Sequence, residues 1–391
     1  GINISRAVVP ALGGAIIASL GLAWPFLLNA VTFLAVIGAL IWWKPAAPVT
    51  GTRSRERIGG AMKLGLRHAA RNPALKATLL RAFAFFVFAS AYWAFLPLIV
   101  REEIAAGPTF YGIMLGSIGV GAVATAAVLP KLRAAIGDEW LSRVGCGVTA
   151  VGLGLFGLAT TPMVGIAAAL LCGSSWIMVM TALNVSTQTA LPDWVRARGI
   201  AVFQMVFAGS MAGGAFFWGA IADATDLRTA LLGAAAGLVV ATLLVARFKL
   251  QQGADINYTP AGHWAEPQLV DEPDDDIGPV LISVEYHVKA SHRAPFIKTA
   301  AKLEAFRRQD GGYDWVLLED IAEPGRMVEN WREDSWAAHL RTHDRVSEAV
   351  KSIQLELEEM LDHRSERRVT HYLPPDPNRP ARELEEDADF V

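Results

Sequence analysis

Charge is scarce in this chain and cysteine scarcer. Of 391 residues, 19% are Asp, Glu, Lys or Arg and 53% are hydrophobic, against about 25% and about 45–50% in ordinary soluble domains. That excludes intrinsic disorder or a collagen-like repeat as descriptions of the whole. The two cysteines, Cys146 and Cys172, both sit in apolar runs. They allow one disulfide and exclude a disulfide-framed scaffold; as small apolar side chains they are expected to be buried. No Gly-x-x-x-x-Gly-Lys-Ser/Thr loop occurs, so direct ATP hydrolysis is not expected.

What charge there is divides sharply. Residues 1–250 carry 19 Lys and Arg against 8 Asp and Glu, a net +11, and residues 251–391 carry 16 against 30, a net −14. Two physically different objects are joined, and the overall −3 describes neither.

A helix needs about 20 apolar residues to cross a bilayer. The first 250 residues contain eight such runs: Ile4–Leu20, Leu22–Trp43, Leu79–Val100, Phe110–Pro130, Leu141–Thr160, Met163–Thr187, Ile200–Ala222 and Leu227–Ala246. A secretory signal peptide is not the expected reading of the first, which shows no basic n-region and is followed by seven more runs. Arg6 and Arg81, near span ends, are expected to snorkel to the headgroups. Basic connections (44–74, 131–140, 188–199 and 247–249) alternate with non-basic ones (101–109, 161–162 and 223–226). The basic side is expected to be cytoplasmic. Eight spans then return the acidic C-terminal region to that side.

Span one reads Ala11-Leu12-Gly13-Gly14-Ala15 and span seven reads Met211-Ala212-Gly213-Gly214-Ala215, 200 residues later. Internal repeats of this kind are common among transporters. The chain here resembles the major facilitator superfamily. Pro10-Ala11-Leu12-Gly13-Gly14 is similar to the Gly-Pro-x-x-Gly-Gly motif of the family's fifth helix, associated with export by antiport, with Val9 where the motif has Gly. Leu129-Pro130-Lys131-Leu132-Arg133 resembles the basic loop between helices eight and nine; the carboxylate usual in that loop does not appear before Asp138. The branch it resembles is the enterobactin-exporter-like, transmembrane secretion effector type. On this mapping the eight spans correspond to helices five to twelve, 44–74 is the long central cytoplasmic loop, and four further helices are expected before Gly1. The resemblance also implies a bacterial inner-membrane location and export of a siderophore- or drug-like molecule by alternating access.

In that family helices seven, eight, ten and eleven line the cavity, here spans three, four, six and seven. Span three carries Phe83, Phe85, Phe86, Phe88, Tyr92, Trp93 and Phe95; span six carries Trp176, Asn184, Ser186 and Gln188; span seven carries Gln204. Aromatic faces with a few amides suit an amphipathic organic substrate. The candidate cavity set is Tyr92, Trp93, Trp176, Asn184, Gln188 and Gln204. Pro10, Gly13, Gly14, Lys131, Arg133, Gly213 and Gly214 are motif positions. No titratable group stands mid-span, and Asp223 and Asp226 read as solvated turn residues.

Residues 251–277 form a Pro-, Gly- and Asp-rich linker, and 374–391 an acidic tail expected to be disordered. Between them, 278–373 read as β-α-β-β-α-β: a strand at Ile282–Val288, a helix at Ala294–Gln309, strands at Tyr313–Asp320 and Arg326–Glu333, one long helix at Ser335–Leu361 and a strand at Arg367–Leu373. That order is ferredoxin-like. It resembles, more loosely, the dimeric α/β-barrel domains of the antibiotic-biosynthesis-monooxygenase type. Regulation, homodimerisation, or a membrane-tethered monooxygenase-like activity are the roles this implies. Trp331, Trp336, His287 and His371 are expected in core and rim packing. His339 and His343 have i, i+4 spacing that can ligate metal. Arg341 between them counts against a cation, so no metal site is expected. Neither cofactor nor nucleic acid is expected; lipid bilayer and small-molecule substrate are the partners.

Overall fold

A computed structural model describes residues 23–43, 58–250, 257–259, 261, 262, 264, 273, 274, 276–362 and 367–375. The first span, with Pro10, Gly13 and Gly14, lies outside the described residues, as do most of the linker and of the tail. The chain divides into two compact units, Gly1–Gly51 with Asn72–Ile256, and Thr52–Arg71 with Asn257–Val391.

The first unit is entirely helical among its described residues. It contains α1 (Ala23–Trp42), then, past α2 (Ile58–Arg71) of the second unit, α3 (Pro73–Leu98), α4 (Pro108–Gly157), α5 (Pro162–Thr189), α6 (Asp193–Ala224) and α7 (Leu227–Val245). Five helices among the described residues are long and apolar enough to cross a membrane: α3 with the π-helical turn Ile99–Glu103 that extends it, and α4 to α7; Phe26–Trp42 is a shorter apolar stretch. Prolines open α3, α4 and α5, where the missing N–H costs nothing. Asn72 and Asp226 cap α3 and α7 by accepting from Leu75 N at 3.0 Å and Thr229 N at 2.8 Å.

Two expected loops are largely helix. Residues 131–140 continue α4, and the chain turns only at Gly137 (φ 73°, ψ 168°), a conformation open essentially to glycine; α4 is therefore two helices joined at a break. The connection expected at 188–199 shrinks to three residues, because α6 starts at Asp193. Close approach binds α4 to α5: a Cβ at Gly121 or Gly173 would overlap the carbonyls of Leu170 and Ile118 respectively. The outer surface is apolar, with Phe216 82% and Leu243 70% exposed, a surface suited to lipid rather than water.

The second unit holds α2, β1 (Val280–His287), α8 (Arg293–Gln309), β2 (Tyr313–Glu319), β3 (Arg326–Glu333), α9 (Trp336–Arg345), α10 (Glu348–Glu358) and β4 (Arg368–Tyr372). The strands make one antiparallel sheet of order β2-β3-β1-β4. Val280, Ile282, Val284 and Tyr286 point to one face and pack with Phe296, Ala300 and Leu303 of α8. The expected long helix Ser335–Leu361 is two. Val346 leaves the helical region (ψ 121°), and Ser347 Oγ caps α10 by accepting from Val350 N at 3.4 Å. Part of the expected linker belongs to this unit as well. Ala261 N donates to Val346 O at 2.7 Å, and Trp264 Nε1 to Gln354 Oε1 at 3.0 Å.

Candidate functional site

In the membrane unit, residues 85, 86, 92 and 93 are seven apart in pairs, so α3 presents them on adjoining faces two turns apart. Trp176 of α5 meets them, with ring centroids 6.1 Å from Phe85, 5.7 Å from Phe86, 6.4 Å from Tyr92 and 5.6 Å from Trp93. Phe207 of α6 closes on Phe86 at 4.7 Å. Most of these contacts are edge-on, the preferred arrangement of ring quadrupoles. Tyr92 Oη, Trp93 Nε1 and Ser210 Oγ are enclosed in this unit without a hydrogen-bond partner of proper geometry among the described residues. Enclosed donors of that kind are normally satisfied, and two of the three, Tyr92 Oη and Trp93 Nε1, belong to the aromatic cluster.

Tyr92, Trp93 and Trp176 are thus brought together. The amides are not. Asn184, half-buried, donates from Nδ2 to Met180 O of its own helix at 2.7 Å, a local partner for its amide. Gln188 and Gln204 are exposed. Phe203 and Phe207, one turn apart, take the inward face of α6, and the next residue, Gln204, turns about 100° away. Cys146 and Cys172 are free and buried.

Of the Gly213-Gly214 pair, Gly213 faces open space, while a Cβ on Gly214 would overlap Ser90 Oγ and lie 2.5 Å from Val87 O. Lys131 is exposed. Arg133 grips Asp138 through Nε at 2.6 Å and a terminal nitrogen at 2.9 Å; Asp138, just past the Gly137 break, supplies the carboxylate. Arg81 does not snorkel. It is buried, paired with Glu139 at 2.5 Å, and donates to Phe248 O at 2.7 Å. Glu139 also meets Arg143 at 2.6 Å and accepts from Leu250 N at 2.9 Å. This network ties the first turns of α3, and α4 just past its Gly137 break, to the segment after α7.

The second unit has a charged interior that periodicity does not disclose. Met327, Glu329, Trp331 and Glu333 alternate onto the inward face of β3. Glu329 accepts from Tyr286 Oη at 2.8 Å, Trp315 Nε1 at 2.9 Å and Arg307 Nε at 3.2 Å. Glu333 accepts from Trp331 Nε1 at 3.0 Å and Thr342 Oγ1 at 3.1 Å. Burial opposes ionisation of Glu333, but His339 and these donors together hold its carboxyl below its usual value. Of the expected packing set, His287 lies on the opposite face of β1, beside Glu285 and Glu323. His371 instead joins Trp336, at 5.7 Å, and His339, at 4.7 Å. Burial, then His339, lowers its pKa to about 4. Two-residue alternation on the last strand was the available signal for that grouping.

Residues 1–380 match the family model described as transmembrane secretion effector. No curated protein matches the chain. A solved structure described as a conserved protein from Methanosarcina mazei Go1 is similar at 19% identity and a TM-score of 0.22, over 25% of this chain and 92% of that one; at that score it carries no argument.

Proposed function

The chain belongs to the transmembrane secretion effector family, transporters of the major facilitator type, and from that premise we propose that it exports a small amphipathic organic molecule, siderophore- or drug-like, by alternating access. The observation that carries this reading is the Trp176 cluster, in which aromatic faces surround the enclosed Tyr92 Oη and Trp93 Nε1. Rings bind the apolar body of such a ligand and the two donors orient its polar group. The break at Gly137 supports counting α4 as two spans, as the eight-span mapping requires. An enterobactin-exporter-like substrate, an inner-membrane location and a cytoplasmic C-terminal unit complete the proposal. The sheet order β2-β3-β1-β4 supports a ferredoxin-like fold for that unit. Its proposed role is regulation, with self-association of the unit as the means.

The test is flux in proteoliposomes containing the full chain with whatever natural sequence flanks it. Efflux of one member of a siderophore, drug and metabolite panel is expected, measured with and without an imposed proton gradient and lowered about tenfold or more by Trp176→Ala. Absence of flux for the whole panel overturns the reading.

A further inference from the structure

The helix-facing side of the second unit's sheet ends in three imidazoles. Register fixes the first: Ile282 of β1 stands opposite Trp331 on one side and His371 on the other. Directly opposed residues share a face, and Ile282 is in the core, so His371 points into the helix layer. α9 brings the other two, His339 and His343, one turn apart on one helix face. Their Nε2 atoms are 3.1 Å from each other, and one nitrogen from each of the three rings lies within 4.8 Å of the others.

We propose that His339, His343 and His371 bind a divalent transition-metal ion of the zinc type, with Glu333 as the outer carboxylate and a fourth position left for water or a small anion. Zinc–nitrogen bonds of about 2.0–2.1 Å in a tetrahedron put ligand nitrogens about 3.4 Å apart. The His339–His343 pair already stands near that separation, and His371 reaches it by a movement of about 1 Å or slightly more.

The surroundings fit a cation. His371 Nε2 is enclosed with no hydrogen-bond partner among the described residues, and a buried polar nitrogen left unsatisfied is costly; a metal satisfies it. His339 Nδ1 lies 3.5 Å from Glu333 Oε1. A small ring rotation makes this the carboxylate–histidine–metal relay that orients ligating imidazoles. Glu333 is itself held by Trp331 and Thr342, so its charge is fixed at the site. Arg341 is two residues from each helical ligand, and 200° of helix rotation turns it away from both. Three nitrogen ligands favour zinc and its neighbours over calcium or magnesium, which take oxygen. Three protein ligands with one open position is also the arrangement of exchangeable zinc sites rather than closed structural ones. Bound metal would join α9 to β4, tying the sheet's last strand to the helix layer.

The experiment uses the untagged full chain in detergent, stripped with chelator and then titrated with Co²⁺ and Zn²⁺. One Co²⁺ per chain is expected, with the visible absorption of a tetrahedral site, and displaced by one Zn²⁺. Glu333→Gln should weaken binding 10–100-fold, the range for an outer-shell partner. His371→Gln should abolish it, and His287→Gln, on the opposite sheet face, should bind as the parent does. Because His339 is fully buried, His343→Gln serves as the second ligand variant, with far-UV circular dichroism confirming that each variant folds. No stoichiometric Zn²⁺ binding at micromolar concentration, or binding unchanged in folded His371→Gln, overturns the proposal.

Discussion

The carbonyl of Val87 is crowded. It accepts from Trp218 Nε1 at 2.9 Å and from Ser90 Oγ at 2.6 Å, and Gly214 leaves its third side clear. A methyl at Gly214 would meet the Val87 backbone and push α6 off α3 there, and overpacking of that kind costs about 1–3 kcal/mol. Gly214→Ala is therefore expected to lower the melting temperature in detergent by several degrees. Gly213→Ala, which meets open space, should leave it unchanged or raise it slightly, since alanine is the better helix former. Equal effects would mean that the α3–α6 contact is not what the glycine serves. The Gly-Gly pair was legible in the sequence as half of a repeat. Which glycine does the packing was not, because helix rotation is set by the partner helix. The same ignorance of rotation grouped Gln204 with Trp176, although Phe203 and Phe207 take the inward face. That Tyr92, Trp93 and Trp176 pack together follows from the preference of large aromatic rings for one another.

At the scale of elements, hydrophobic periodicity located the apolar helices and misjudged their ends. Trp336, Leu340, Val350, Ile353 and Leu357 keep helical spacing across a break, so one helix was expected where α9 and α10 form; Ser347 followed by Glu348 is the cap signal that divides them. The connection 44–74 carried a different lesson. Its basic residues served as orientation markers, yet α2 packs within the second unit, against the end of α8. Arg67 donates to Gly311 O at 2.8 Å, Arg71 to Gly312 O at 3.1 Å, and His68 Nδ1 lies 3.0 Å from Gln309 O. Cations at a helix C-terminus meet carbonyls that have no intrahelical partner, at the negative end of the dipole. Removing two such donors by Arg67→Ala with Arg71→Ala should cost about 1–2 kcal/mol, which raises the opened fraction of α2 about 5–30-fold. Limited proteolysis within 58–71 reads that fraction directly. Acid should act in the same direction. Burial holds the His68 imidazole below its ordinary 6.5, the bond to Gln309 only partly offsetting it. The folded contact thus binds the proton less readily than the open form, so its stability is full above about pH 6.5 and lost as pH falls below it. Cleavage that is indifferent both to the double substitution and to acidification between pH 7 and 5 would refute this account of the contact.

For the whole molecule, the +11 of residues 1–250 and the −14 of residues 251–391 become an argument about orientation. Local pairing reduces the effective charge of the basic connections: Arg133 is bound to Asp138, and Arg196 meets Asp193 at 2.6 Å. Orientation nevertheless follows the placement of Lys and Arg in short connections, and acidic partners contribute little. Lys131, Arg133, Arg196, Arg198, Arg247 and Lys249, with the basic residues of 44–74, are therefore still expected to mark the cytoplasmic side. The connections at 161–162 and 223–226 contain no Lys or Arg. An anionic cytoplasmic leaflet attracts basic residues by roughly 1 kcal/mol each near its surface, and the acidic C-terminal residues, which follow the last apolar helix in sequence, are expected on that side. Alkaline phosphatase, which folds only outside the cytoplasm, should be inactive when fused after Val391 and active when fused after Thr161; green fluorescent protein should give the reverse pattern. Active phosphatase after Val391 would place the acidic region outside and require an odd number of crossings between Thr161's side and the C-terminus to be recounted. The charge asymmetry would then have to be explained by something other than insertion.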